Sequence, residues 1–217
     1  MKIASIHYND NYWSAFNHET VYIQNRKDFI KILDCKLAVF WGGEDITPEF
    51  YNEKPVYTHA GWHTNHRDFL EKSAWEFCTK NKIPMLGICR GAQLLCALNG
   101  GKLWQDVSNH TGGRHEVKLF DGRIIIVNSI HHQMMRPTKD MQILGRSFNH
   151  KSKYYLSETD QIHFHDTFQY EQVIEPEFVL FNNLSLGVQG HPEYSGTSSD
   201  ITNTTRELVN TFLKVPL

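Results

Sequence analysis

Apolar and polar positions along this chain fall into two regimes. Up to about residue 100, short apolar runs are separated by stretches of helical period; beyond it, the runs are separated by turn signals. Residues 2–8 alternate as a strand does, 29–33 close a helix, and 36–41 form a buried strand running into Gly42-Gly43. A loop over 44–64 follows, then a helix over 65–81. In that helix Phe69, Leu70, Ala74 and Phe77 recur near a 3.6-residue period, and Thr64 or Asn65 caps it. Residues 84–88 are a short buried strand, and 92–98 are helix formers stopped by Asn99-Gly100-Gly101. Further on, 115–119 and 123–128 flank Phe120-Asp121-Gly122 as a hairpin, and 141–144, 177–181 and 186–189 read as strands. Ser198 or Ser199 caps a last helix whose stripe is Ile201, Thr205, Leu208, Val209, Phe212 and Leu213. Strand–helix alternation followed by an antiparallel portion predicts an α/β fold: a mainly parallel central sheet flanked by helices, in one domain over 1–217.

The junction between the strand at 84–88 and the helix after it carries the chemistry. Gly87-Ile88-Cys89-Arg90-Gly91 has the form G-x-C-x-G, the thiol counterpart of a nucleophile elbow. Such a turn strains the nucleophile's backbone, and flanking glycines let strand and helix close around it. The sulfur then stands at a helix N-terminus, whose partial positive charge favours thiolate. The bland reading of this pentapeptide alone is a core thiol beside a tight turn.

Composition narrows the field. The chain has 217 residues, is 40% hydrophobic and carries a net charge of -2, so it can bury a large core and shows no footprint for nucleic acid. No apolar run reaches the length of a membrane span and the start reads as a strand, which predicts a soluble, cytoplasmic protein. Four cysteines without paired spacing argue against a disulfide framework, and Cys78 and Cys96 sit in apolar helical stretches as packing thiols. Thirteen histidines invite a metal, but neither His59, His63 and His66, nor His131-His132, nor His163-Phe164-His165-Asp166 has fixed ligand spacing. The expectation is no metal and no cofactor.

A partner for the thiol stands about a hundred residues later. Residues 186–190 read as a strand followed at once by His191-Pro192-Glu193. In extended chain, residues two apart face the same way, so Glu193 can fix the His191 tautomer while Pro192 stiffens the backbone. Alone, a histidine at a strand end is more often a surface residue; with the elbow it becomes a base. Gly42-Gly43, directly after a buried strand, offers bare amides at the sheet's carboxyl edge. One of them, with the N–H of Arg90, would form an oxyanion hole.

These residues resemble the class I glutamine amidotransferase superfamily, and within it the γ-glutamyl hydrolase branch that includes γ-glutamyl-γ-aminobutyrate hydrolases. The matching stretches are Gly42 to Pro48 with Tyr51, Arg67-Asp68 with Glu71, Gly87 to Gln93, His131-His132-Gln133 and Val188 to Glu193, in the family's order. The resemblance implies a flavodoxin-like amidotransferase fold and a triad: Cys89 as nucleophile, His191 as base and then acid, Glu193 as its orienting group. It also implies oxyanion amides at Gly43 and Arg90 and a glutamyl pocket lined by Gly42, Gln93, Ser129, His131 and His132. Gln93 could equally satisfy a loop backbone, and the two histidines could be a polar strand end. Arg67 and Glu71, one helical turn apart, read as a surface pair. Gly190 stands where that family often carries tryptophan, which implies a more open wall beside His191. The segments 8–24 and 55–66 are the chain's own. Three functions follow as expectations: a stand-alone hydrolase of γ-glutamyl amides, a glutaminase subunit feeding ammonia to a synthetase partner, or a binding module with an idle triad. A homodimer is compatible with the fold.

Overall fold

The structure is a computed structural model that describes residues 1–7, 18–149, 152–163 and 173–217, with the side chains of 62–65 left aside. Among the described residues the strands are β1 (Lys2–Ile6), β2 (Glu19–Ile23), β3 (Leu37–Phe40), β4 (Met85–Ile88), β5 (Lys102–Trp104), β6 (Asp106–Val107), β7 (Arg114–Leu119), β8 (Ile124–Asn128), β9 (Met134–Arg136), β10 (Gln142–Ser147), β11 (Tyr154–Leu156), β12 (Gln161–His163), β13 (Pro176–Phe181) and β14 (Ser185–Val188). The α-helices are α1 (Trp62–Asn81), α2 (Arg90–Leu98) and α3 (Asp200–Leu208), the last continued by a wider π turn over Val209–Leu213.

Nine strands form one sheet in the order β2-β1-β3-β4-β14-β13-β10-β7-β8. The first five are mutually parallel, and from β13 onward every pairing is antiparallel. The central strands are apolar throughout because both faces are covered. On one face Ile6, Phe40 and Met85 pack with residues of α1, α2 and the 3₁₀ segment Arg26–Asp34. On the other, Ile3, Val39 and Leu86 pack with Ile201, Leu208, Val209 and Leu213. No helix is long and apolar enough to cross a membrane among the described residues.

The predicted α/β architecture is present, with differences at element ends. α1 begins at Trp62, so Thr64 and Asn65 lie inside its first turn instead of capping it, and the preceding loop holds a 3₁₀ turn over Pro48–Tyr51. The segment 29–33 belongs to a 3₁₀ helix begun by Asn25, whose side chain accepts from Lys27 N–H while Asp28 returns a bond to the Asn25 N–H. Ser199 is the cap of α3. The Asp121-Gly122 hairpin forms as expected, its turn tied by Gly122 N–H to Leu119 C=O at 3.0 Å. The short strands β5, β6, β9, β11 and β12 build two small sheets apart from the main one; β12 contains His163, while His165 and Asp166 lie outside the described residues.

Candidate active site

Cys89 stands between β4 and α2 with φ 50° and ψ −109°, a strained conformation for any residue with a side chain. What holds it there is close approach: a Cβ on Gly87 would come 2.5 Å from Gly91 O, and one on Gly91 would overlap Phe40 O. Only glycine fits at either position, which is why the elbow is written G-x-C-x-G. Cys89 N–H donates to Val188 O at 2.7 Å, anchoring the turn to β14.

β14 lies beside β4 in parallel register, Gly187 against Gly87 and Val188 against Ile88. That ladder delivers His191 next to Cys89. The imidazole, in a residue only 7% exposed, faces Cys89 across Gly42 on one side, and its Nδ1 lies 2.7 Å from Glu193 Oε1 on the other. Burial would lower its pKa, but the bonds to Cys89 and Glu193 outweigh burial and push it up to about 10. Tyr194 stacks on the ring at 5.0 Å, and Gln189 Nε2 reaches Cys89 Sγ at 4.0 Å.

Gly42 forms the third wall: a side chain there would sit 2.9 Å from His191 Cε1 and 3.6 Å from Cys89 Cβ. Gly43 has φ +137° and the Arg67 guanidinium occupies the place of its missing Cβ. Its N–H meets no protein acceptor among the described residues, and the Arg90 N–H, first in α2, has none within the helix.

Arg67 and Glu71 do not form the expected surface pair. Arg67 Nε donates to Glu71 Oε1 at 2.9 Å with Glu71 wholly buried, and its Nη2 donates to the carbonyls of Trp41 (3.0 Å) and Gly42 (3.1 Å). The Arg90 guanidinium, equally buried, ion-pairs Asp68 and Glu71 and donates to Glu44 O at 3.1 Å. Asp68 accepts Thr47 N–H at 2.8 Å. Burial would raise the Glu71 pKa, yet Arg67 and Arg90 hold it below the usual carboxylate range. Two arginines and two acids thus fasten the 41–47 loop to the elbow. The i,i+4 spacing was visible; the covering loop that buries it was not.

The segment 129–133 lies alongside. Gln93 Nε2 donates to Gln133 O at 2.9 Å, so Gln93 does satisfy a loop backbone. Ser129 Oγ donates to His110 O at 2.9 Å, and buried His131 uses Nδ1 toward Gln133 O at 2.9 Å. Burial and the neighbouring His110 hold the His131 pKa well below its ordinary value, so its ring is neutral at pH 7. His132 turns to Asp45 instead, Nε2 to Oδ1 at 3.0 Å. Gly190 corrects the expectation of an open wall: a Cβ there would meet Ile201 Cδ1 at 2.6 Å and Asn128 O at 2.8 Å, so neighbours already fill the space. Asn128, overlooked in the sequence, bonds both the N–H and the C=O of His191. Its position at a strand end, just before Ser129, was its only signal.

Cys35, Cys78 and Cys96 are free and buried, and burial pushes their thiols up to about 11, 12 and 12. All three are packing groups, as the sequence suggested for Cys78 and Cys96.

An α/β sheet with a strained cysteine elbow facing a histidine and a glutamate two residues on defines a domain of the class I glutamine amidotransferase-like superfamily. The peptidase C26 family model matches residues 22–193, and the chain belongs to that family. It is 35% identical over 96 residues to gamma-glutamyl-CDP-amidate hydrolase of Campylobacter jejuni, covering 44% of this chain and 42% of that one. It is 34% identical over 68 residues to the carbamoyl phosphate synthase small chain of Buchnera aphidicola, covering 31% and 18%. The chain spans about half the length of the curated relatives it matches first. Among solved structures, a glutamine amidotransferase from Thermotoga maritima superposes with a TM-score of 0.56 at 15% identity over 89% of this chain and 76% of that one, a likeness of fold.

Proposed function

We propose that this protein hydrolyses a γ-glutamyl amide bond through a Cys89 thioester. The observation that carries the reading is that the β4/β14 ladder sets Cys89 beside His191, whose Nδ1 lies 2.7 Å from Glu193 Oε1. The name of the Campylobacter relative supports γ-glutamyl amides as the substrate class.

In this reading the γ-carbonyl oxygen points at the Gly43 and Arg90 amides. Cys89 sulfur, its proton passed to His191, attacks the carbonyl carbon, forming the C–S bond, and collapse of the tetrahedral intermediate breaks the C–N bond as His191 gives that proton to the departing amine. His191 then takes a proton from water, which attacks the thioester, releasing glutamate and restoring the thiol. Glu193 fixes the imidazole tautomer and stabilises its charged form throughout. Each oxyanion amide contributes about 3–4 kcal/mol to lowering the barrier. Gly42 shapes the wall beside the sulfur, and the 129–133 segment, with Ser129, His131 and His132, borders the glutamyl site.

The test is glutamate release from a panel of γ-glutamyl amides and from glutamine, with mass spectrometry of the trapped acyl-enzyme. A glutamyl adduct on Cys89, lost in Cys89→Ala along with turnover, is the expected result; hydrolysis by folded Cys89→Ala overturns it. Turnover of glutamine alone, rising when a synthetase is added, would favour the second reading, which the match to a carbamoyl phosphate synthase small chain keeps in view.

A further inference from the structure

Three segments far apart in the sequence converge beside the 41–47 loop. Ligand atoms of Asp45, His59 and His132 lie within 4.8 Å of one another. Asp45 is buried, His132 partly so, and His59 reaches solvent. The rings are arranged as well as close: His59 and His132 are 4.6 Å apart, and Tyr57 meets each of them edge-on at 5.5 Å. Asp45 Oδ2 accepts His59 N–H at 2.6 Å, holding the loop that carries His59 against the cluster.

Charge balance shows what the cluster lacks. His132 lies between two carboxylates, Nε2 at 3.0 Å from Asp45 Oδ1 and Nδ1 at 3.5 Å from Asp106 Oδ1. Among the described residues neither acid has a lysine or arginine partner. Even with the His132 ring charged, two carboxylates leave one negative charge uncompensated, and partly buried charge of that kind favours a counter-ion. A divalent cation supplies it. Mixed imidazole and carboxylate donors suit zinc and not calcium or magnesium, which take oxygen shells.

We propose that Asp45, His59 and His132 bind a zinc-class divalent cation, with Asp106 accepting the remaining N–H of His132. A carboxylate behind a ligating histidine fixes its tautomer and ring plane, and Asp106 is placed to do so. Three protein ligands leave a fourth tetrahedral position for water. The site lies on the same loop as Gly42 and Gly43 and is one residue from His131. It does not include Cys89 but shares His132 with the segment that borders the proposed glutamyl site, and its test reads cation binding, which does not depend on hydrolysis.

The test uses the full chain as Cys89→Ala, which removes the reactive thiol as a competing ligand. After dialysis against chelator, Zn²⁺ is titrated in competition with a chromophoric chelator, and Co²⁺ serves as a spectroscopic probe of coordination. One Zn²⁺ per chain and a tetrahedral Co²⁺ spectrum are expected. Adding His59→Gln, a change at an exposed residue, should weaken binding at least about 10-fold, and Asp106→Asn about 10–100-fold. Circular dichroism checks that both remain folded. Absence of stoichiometric binding overturns the proposal. So does binding unchanged by His59→Gln, which would assign the cation elsewhere, the buried His110, His131 and Glu177 group being the other candidate.

Discussion

The Asn128 side chain holds His191 by its backbone from both directions: Oδ1 accepts the His191 N–H at 2.6 Å, and Nδ2 donates to the His191 carbonyl at 2.8 Å. The same Nδ2 reaches Ser195 Oγ at 2.8 Å, which in turn donates to the His191 carbonyl at 3.1 Å. In the proposed mechanism the imidazole serves a sulfur on one side and a leaving amine on the other, and this clamp would fix its base. Asn128→Ala leaves the His191 N–H without its partner, while Ser195 still donates to the carbonyl, at about 1–3 kcal/mol of stability. It lets the ring drift, and a displacement of about 1 Å costs on the order of 100-fold in rate. Steady-state kinetics should show the loss in kcat with KM little changed; a kcat within threefold of wild type would sink the idea.

The charge on His191 sets a pH dependence. Its pKa in the folded protein, about 10, lies above the ordinary 6.5, so its contribution to stability is complete below about 6.5 and is lost as pH climbs through about 10. Melting temperature should therefore fall on the alkaline side more steeply for wild type than for His191→Gln. In NMR titrations, Cys89→Ala and Glu193→Gln should each bring the imidazole back toward its ordinary value. A wild-type imidazole titrating near 6.5 would contradict the pairing.

Asp68 and Glu71 compensate a guanidinium with no access to water. Asp68→Ala leaves the Arg90 charge half-compensated and releases the Thr47 N–H, for an expected loss of about 3–5 kcal/mol. Urea denaturation measures it, and a loss under 1 kcal/mol would show that the network is not buried as described. Because the 42–47 loop hangs on these bonds, Gly43 should also lose its alignment with Arg90, lowering kcat in the surviving folded fraction.

Gly190→Trp tests the wall beside the histidine. The space a side chain would need is filled by Ile201 and Asn128, so tryptophan must displace the residue that clamps His191. Overpacking of this kind costs about 1–3 kcal/mol, and activity should fall with it. A stable, active Gly190→Trp protein would mean that the wall can open.

How much of this was legible in the sequence depends on whether the cause is local. The elbow was, because glycine at 87 and 91 answers to contacts within a few residues and to one neighbouring strand. His191 and Glu193 do meet, but not through the extended chain the sequence suggested: Pro192–Tyr194 is a 3₁₀ turn with His191 as its N-cap, and that turn brings Glu193 back to the imidazole. The Asp121-Gly122 hairpin was legible from its turn residues. Strands of two or three residues such as β5, β6 and β9 carry no period to detect. The start of α1 was misjudged because the apolar stripe begins later than the helix. Arg67 and Glu71 have the spacing of an exposed pair, and only Trp41, Gly42 and Arg90, brought in by the sheet, bury them. Asn128 and the Asp45, His59 and His132 cluster depend wholly on long-range folding, so no spacing rule could have assembled them.

The β4/β14 ladder joins residues a hundred positions apart, and it alone brings the sulfur to its imidazole. Until β14 has docked, Cys89 has neither its anchoring bond to Val188 nor His191 beside it. The elbow is therefore only half-built until this long-range pairing forms, and the competence proposed for its thiol waits on the completed sheet.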